Sequence, residues 1–258
     1  MSLHAELYGE LHRAAPIVLL HGFGGTAAAW TAVAKTLAAE LPVIAYDLPG
    51  HGRSLSVEPA GGAGWMAKAI VADLHQRDVE KFHLAGHSMG GAVAALIALR
   101  TPEQVASLTL FAPGGFGRGI NGEALRCYAS AGNREEMRAA LLMMSGRQHP
   151  VSDAEVESTL ERRRLSGARE ALKRILGTIL VDAGGREQGM LPVEDLGRLA
   201  MPVRVLWGEG DGILPVTQAD GLPSNVAVHR LPEAGHMLID ECPEAVVRVI
   251  RLGISHAV

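Results

Sequence analysis

Positive charge is in short supply. The chain carries 24 Lys and Arg against 28 Asp and Glu, a formal charge of −4 over 258 residues. Nucleic-acid binding calls for a clustered basic excess, so no nucleic-acid partner is expected. Cysteine is nearly absent. The two present, Cys127 and Cys242, form no CxxC pair, which excludes a legible disulfide framework or zinc cluster and points to a reducing, cytoplasmic compartment. Long apolar runs are missing as well: IVLL at Ile17–Leu20 and AVAALIAL at 92–99 fall far short of the ~20 residues that span a bilayer. The opening MSLHAELYGELHRAAP lacks the basic start, apolar stretch and small-residue cleavage site of a secretory leader. A soluble protein with no membrane partner is the expectation. No HExxH or HxH spacing occurs among the 11 histidines, so no metal is expected.

Glycine, by contrast, is abundant: 31 residues, with no Gly-X-Y period and no Ser/Gly linker. Its placement follows from the elements around it. Short β-branched runs alternate with longer helical stretches, the pattern of βαβ units and a parallel sheet. Strands are expected at Ile17–Leu20, Val43–Tyr46, 82–85, 107–111, 203–207 and Val226–Leu231, with helices around 27–39, 65–77, Met89–Arg100 and 244–252. An antiparallel hairpin is expected over 3–12. The alternation breaks between Gly114 and Pro192, where Glu/Arg-rich helical sequence holds no strand-like run. The division expected is therefore an α/β core of residues 1–113 and 193–258, and a helical cap of residues 114–192 over the site. The Arg162–Arg164 run in that cap reads as a solvated helix face.

Gly86-His87-Ser88-Met89-Gly90-Gly91 follows one expected strand directly and opens a helix. A G-x-S-x-G turn between strand and helix strains the serine backbone, exposes its hydroxyl, and needs small residues two places either side. The motif alone is weak in so glycine-rich a chain; its context makes it specific. A serine hydroxyl needs a base oriented by an acid, and in this arrangement they follow in the order Ser, Asp/Glu, His. Asp211 stands just past the strand at 203–207, and His236 just past Val226–Leu231. Glu209 competes with Asp211, which its position further into the loop favours. His87 reads as packed or solvated, and His21 and His51 as braces of glycine-flanked loops. Backbone N–H groups for a developing oxyanion are expected from Met89, at a helix start, and Phe23, in the loop HGFGG after the first parallel strand. GxGxxG at 117–122 lies too far beyond its strand for a dinucleotide turn and reads as a flexible entrance to the cap, so no cofactor is expected.

Five motifs in order, HGFGG at 21–25, DLPGHGRS at 47–54, GHSMGG at 86–91, WGEGDGILP at 207–215 and AGHMLIDECPE at 234–244, resemble the α/β-hydrolase superfamily across essentially the whole chain. The resemblance implies a mainly parallel eight-stranded sheet flanked by helices, a helical cap, a Ser88–His236–Asp211 triad and an oxyanion hole at Phe23 and Met89. FAPGGFGRGINGEAL and ERRRLSGAREALKRI are similar to the hydrolase-like portion of acyltransferase subunits of acetoin dehydrogenase complexes. Such subunits carry a lipoyl domain ahead of this portion; this chain has no room for one, so membership of such a complex is not expected. Ser88 stands where similar dehalogenases and epoxide hydrolases have aspartate, which favours an acyl-enzyme. Met237 stands where similar meta-cleavage carbon–carbon hydrolases usually have tryptophan. The expected function is hydrolysis of an ester, thioester or lactone of a small to medium acyl group. Carbon–carbon bond hydrolysis and an acyltransferase-like or noncatalytic role are the alternatives. Nothing in the sequence specifies an oligomeric state.

Overall fold

A computed structural model describes residues 2–11, 14–57 and 61–257. In chain order the elements are β1 (Ala5–Tyr8), β2 (Ile17–Leu20), α1 (Thr31–Leu37), β3 (Val43–Tyr46), α2 (Ala63–Gln76), β4 (Phe82–His87), α3 (Met89–Arg100) and β5 (Val105–Phe111). Four helices follow: α4 (Gly122–Ser130), α5 (Arg134–Met144), α6 (Asp153–Arg164) and α7 (Ala168–Ile179). The chain then returns through β6 (Val203–Gly208), β7 (Val226–Leu231), α8 (Leu238–Glu241) and α9 (Pro243–Ser255).

The strands form one seven-stranded sheet in the order β1-β3-β2-β4-β5-β6-β7. β1 runs antiparallel to β3 and every other pairing is parallel. β2, β3 and β4 are buried at every residue, as strands covered on both faces must be, and so β2 and β3 read as continuous apolar runs rather than alternating ones. α2 packs with α3, and α1 with α9, against this sheet. Among the described residues no helix is long and apolar enough to cross a membrane.

Three expectations are corrected. The sheet has seven strands among the described residues, not eight, because the segment expected to form a hairpin supplies β1 alone. After Tyr8 the chain turns through Gly9 at φ +82° instead of doubling back in register, and residue 12, the last of the expected return arm, lies outside the described residues. The second concerns the arginine run. α6 buries Val156, Thr159, Leu160 and Arg163, the i, i+3, i+4, i+7 stripe of an amphipathic helix. Arg163 falls in register with that stripe and is 6% exposed; of the three only Arg164 is exposed. The 117–122 segment, expected to be a flexible entrance, is tied down by a Gly119↔Glu187 bridge and by Asn121 N–H to Ile213 O.

β3 lies on one side of β2 and β4 on the other, so β2/β4 is the point where strand order reverses. Loops leaving the carboxyl ends of two such strands diverge and open a crevice, the usual ligand position in an open α/β sheet. Leu20 pairs with Gly86 there, which brings the loop that begins at His21 beside His87 and Ser88.

Candidate active site

β4 delivers Ser88 to the mouth of that crevice and α3 starts at the next residue. Ser88 sits at φ +53°, ψ −117°, a region a non-glycine residue occupies only when its surroundings force it. Here Ser88 N–H donates to Phe111 O at 2.9 Å, and Ser88 O accepts from Gly114 N–H at 2.9 Å. The glycines on either side make the turn possible. A Cβ on Gly86 would lie 2.3 Å from Gly90 O, and one on Gly90 would lie 2.4 Å from both His21 O and Leu20 O.

Ser88 Oγ is 2.9 Å from His236 Nε2, and His236 Nδ1 is 2.8 Å from Asp211 Oδ2. Ser88 is 8% exposed and His236 1%, and both side chains of the His–Asp pair are sealed from solvent. A carboxylate only accepts, so Nδ1 carries the proton and the Nε2 lone pair faces the serine hydroxyl. Asp211 is itself fixed: Oδ1 accepts from Ile213 and Leu214 N–H, each at 2.8 Å, and Oδ2 from Trp207 Nε1 at 3.1 Å. Glu209, its competitor in the sequence, is exposed.

The loop that holds His236 is tied to the inserted helices. His236 N–H donates to Met144 O at 2.9 Å. Glu241 gathers the amides on both sides, Gly235 N–H at 2.7 Å and Met237 N–H at 2.9 Å, together with Gly146 N–H at 3.0 Å. His87 Nε2–H donates to His236 O at 2.7 Å, so His87 is packed rather than solvated. His21 and His51 brace their loops as expected. His21 Nδ1–H donates to Gly22 O and its Nε2 accepts Leu48 N–H; His51 Nδ1–H donates to Pro49 O and its Nε2 accepts Gly24 N–H. Burial pushes His21 down to about 4, and His51 and His87 to about 3, with neighbouring histidines adding to the shift in each. All three are neutral donors and acceptors at neutral pH.

The Phe23 and Met89 N–H groups have no acceptor among the described residues, and both residues line the cavity that holds Ser88. That cavity, about 210 Å³, is apolar: Met66, Leu96, Leu125, Ile175, Ile179 and Leu191 wall it. A second cavity of about 130 Å³ shares Phe23, Ser88 and Leu125 with the first and is more polar, with Glu155, Ser158, Thr159, Arg162 and Asp240. α7 contributes its apolar stripe to the first cavity and α6 its polar residues to the second, so the inserted helices shape both. Among the described residues no three His, Cys, Asp or Glu side chains cluster as metal ligands.

All five sequence-derived site residues thus meet around one crevice. Of the residues packed around this site, Glu241 went unnoticed in the sequence and Arg163 was read there as part of a solvated run. Arg163 carried a readable signal in its spacing from Val156 and Leu160; Glu241, five residues after His236, carried none without the fold.

The sequence profile of the alpha/beta hydrolase family matches residues 17–249, and the chain belongs to that family. It is 39% identical over 242 residues to the "Dihydrolipoyllysine-residue acetyltransferase component of acetoin cleaving system" of Pseudomonas putida, covering 93% of this chain and 63% of the relative. The component of the same name from Cupriavidus necator is 34% identical over 221 residues, 86% of this chain and 58% of the relative. The chain spans about three-fifths of the length of these curated relatives. Among solved structures, the meta-cleavage product hydrolase from Pseudomonas fluorescens IP01 has the same fold, with a TM-score of 0.84 at 22% identity over 98% of this chain and 94% of that one.

Proposed function

We propose that the protein is a serine hydrolase that cleaves an ester, thioester or lactone of a small to medium acyl group through an acyl-enzyme on Ser88. The observation that carries this reading is the hydrogen-bonded run Ser88 Oγ, His236 Nε2, His236 Nδ1, Asp211 Oδ2, with steps of 2.9 and 2.8 Å, at the wall of an apolar chamber. His236 Nε2 takes the hydroxyl proton as Ser88 Oγ attacks the acyl carbonyl. Asp211 holds the imidazole in register and stabilises the imidazolium. The oxyanion forms against the Phe23 and Met89 N–H groups, which are free to donate and need no reorganisation. Collapse expels the leaving alcohol or thiol, which takes its proton from His236. Water, deprotonated by His236, then attacks the acyl-enzyme, and the carboxylic acid leaves with Ser88 restored.

In this reading the acyl chain lies in the 210 Å³ chamber and the leaving group exits past the polar one. Residues 114–192 act as the cap, on a core of 1–113 and 193–258. A second reading follows from the 39% identity to the acetyltransferase component: the acyl group passes to the thiol of a dihydrolipoyl group instead of water. The test is a panel of p-nitrophenyl esters, acyl thioesters, lactones and meta-cleavage products, each with and without dihydrolipoamide, on the wild type and Ser88→Ala. Ester or thioester turnover that is lost in Ser88→Ala supports the proposal. Undiminished turnover in Ser88→Ala, or turnover of the meta-cleavage product alone, overturns it. Acceleration by dihydrolipoamide selects the second reading.

A further inference from the structure

The mechanism above leaves Arg163 unused, and its placement is costly. The guanidinium is a cation, it is almost wholly buried, and its Nε and Nη2 have no hydrogen-bond partner. Among the described residues no carboxylate lies within ion-pair distance of it. Taking a charge out of water without a counter-charge is strongly unfavourable, so a gain elsewhere has to offset it.

Its contacts all lead to the turn after β2. Nη1–H donates to Gly24 O at 3.3 Å. The guanidinium lies over the Tyr128 ring, 4.7 Å from its centroid, and that ring is tilted against Phe23 at 6.3 Å. From the core side, Gly24 N–H donates to His51 Nε2 at 3.1 Å, and the His51 ring meets Phe23 edge-on at 6.5 Å. The fit is close: a Cβ on Gly24 would lie 2.6 Å from both Arg163 Nη2 and Tyr128 Cε1. Gly24 is thus held at its N–H by the core and at its carbonyl by α6, one residue past the Phe23 amide.

We propose that Arg163 is a positioning residue that reaches from α6 to fix the turn carrying the Phe23 N–H, and so aims the oxyanion donor; this rests on the serine-hydrolase reading. The role differs from binding substrate, because the guanidinium lies behind the turn, outside the residues lining either chamber.

The test pairs kinetics with amide hydrogen exchange on Arg163→Met and Arg163→Lys. Rates are expressed per Ser88 titrated with a fluorophosphonate, which discounts misfolded molecules. Arg163→Met keeps an aliphatic stem and removes the fork. Removing a direct oxyanion donor costs about 10²–10³ in kcat, so misaiming one is expected to lower kcat about 10- to 100-fold, with KM within about threefold. Exchange over residues 22–25 should accelerate about tenfold or more. Arg163→Lys, a donor without the planar fork, should recover part of kcat. A merely structural role lowers the melting temperature but leaves kcat per titrated serine and exchange over 22–25 at wild-type values; either quantity unchanged in Arg163→Met overturns the proposal. If Arg163→Met does not fold, Arg163→Lys decides on the same two quantities. Should the wild type cleave no acyl substrate, the hydrolase reading falls separately, and the exchange comparison still decides whether Arg163 holds the turn.

Discussion

Acid should unfold this protein through three histidines that transfer no proton in the proposed reaction. His21, His51 and His87 are buried and neutral in the folded chain, held down to about 4, 3 and 3. In the unfolded chain each titrates near its ordinary value of about 6.5. Protonating His21 or His51 in place means expelling the backbone donor on Nε2, Leu48 N–H or Gly24 N–H. The unfolded form therefore binds more protons below pH 6.5, and stability present above that pH is lost as pH falls toward the folded values. At pH 5 the unfolded chain holds almost three protons on these rings and the folded one almost none, so at about 1.4 kcal/mol per proton per pH unit the slope is about 4 kcal/mol per unit. Asp240 opposes this. Burial of its carboxyl, then the charge of Glu155, raises it to about 6, so it gains a proton in the folded state as pH falls. Its carboxyl is desolvated although the residue as a whole is exposed at the chamber wall, and screening reduces its share to a fraction of a proton, leaving a slope of about 3 kcal/mol per unit from these four groups. Urea unfolding followed by circular dichroism in half-unit steps from pH 6.5 to 4.5 measures it. His87→Gln, which keeps a donor for His236 O, should remove about one proton's worth, about 1.4 kcal/mol per unit. A wild-type slope below that single-proton value, or a His87→Gln curve parallel to wild type, would refute the reasoning.

Further perturbations have expected outcomes. Asp211→Asn leaves the shape intact but no longer fixes the Nδ1–H tautomer of His236, and kcat toward a p-nitrophenyl ester should fall about 10⁴-fold, as tautomer loss does in serine proteases; a fall under tenfold would contradict the role. Glu241→Gln turns one acceptor toward three amides into a donor, leaving at least one of Gly146, Gly235 and Met237 N–H unsatisfied. At about 1–3 kcal/mol per orphaned group the melting temperature should drop by about 3–10 °C, with kcat lowered and KM little changed; scanning calorimetry and steady-state kinetics check both. Gly90→Ala sets a Cβ 2.4 Å from two carbonyl oxygens of the neighbouring turn, and neither backbone can yield without moving Ser88 or Phe23. It should leave less than a tenth of the protein titratable at Ser88.

Much of this architecture was legible because the elements carry distinct signatures. β2 and β3 stand out because full burial leaves them continuously apolar, β4 because only its two histidines interrupt an otherwise apolar run, and α3 because Ser88 and Arg100 bracket an apolar helix. The candidate site was legible because glycines mark the turns where backbones approach within contact distance, as at Gly86 and Gly90. Arg163 was misread because three consecutive arginines look alike in sequence, while a helix turns each through 100°, placing one against the core and the next in water. The strand count failed at the sheet edge, where β1 is only partly buried and pairs over four residues; short edge strands leave little pattern to read.

The most direct measurement of the central claim is the mass of the intact protein after reaction with a fluorophosphonate, followed by peptide mapping. A nucleophile made by Ser88, His236 and Asp211 predicts a single adduct on the peptide containing Ser88, absent from Ser88→Ala and slowed in Asp211→Asn. No adduct on the folded wild type, or an equal adduct on Ser88→Ala, would contradict it.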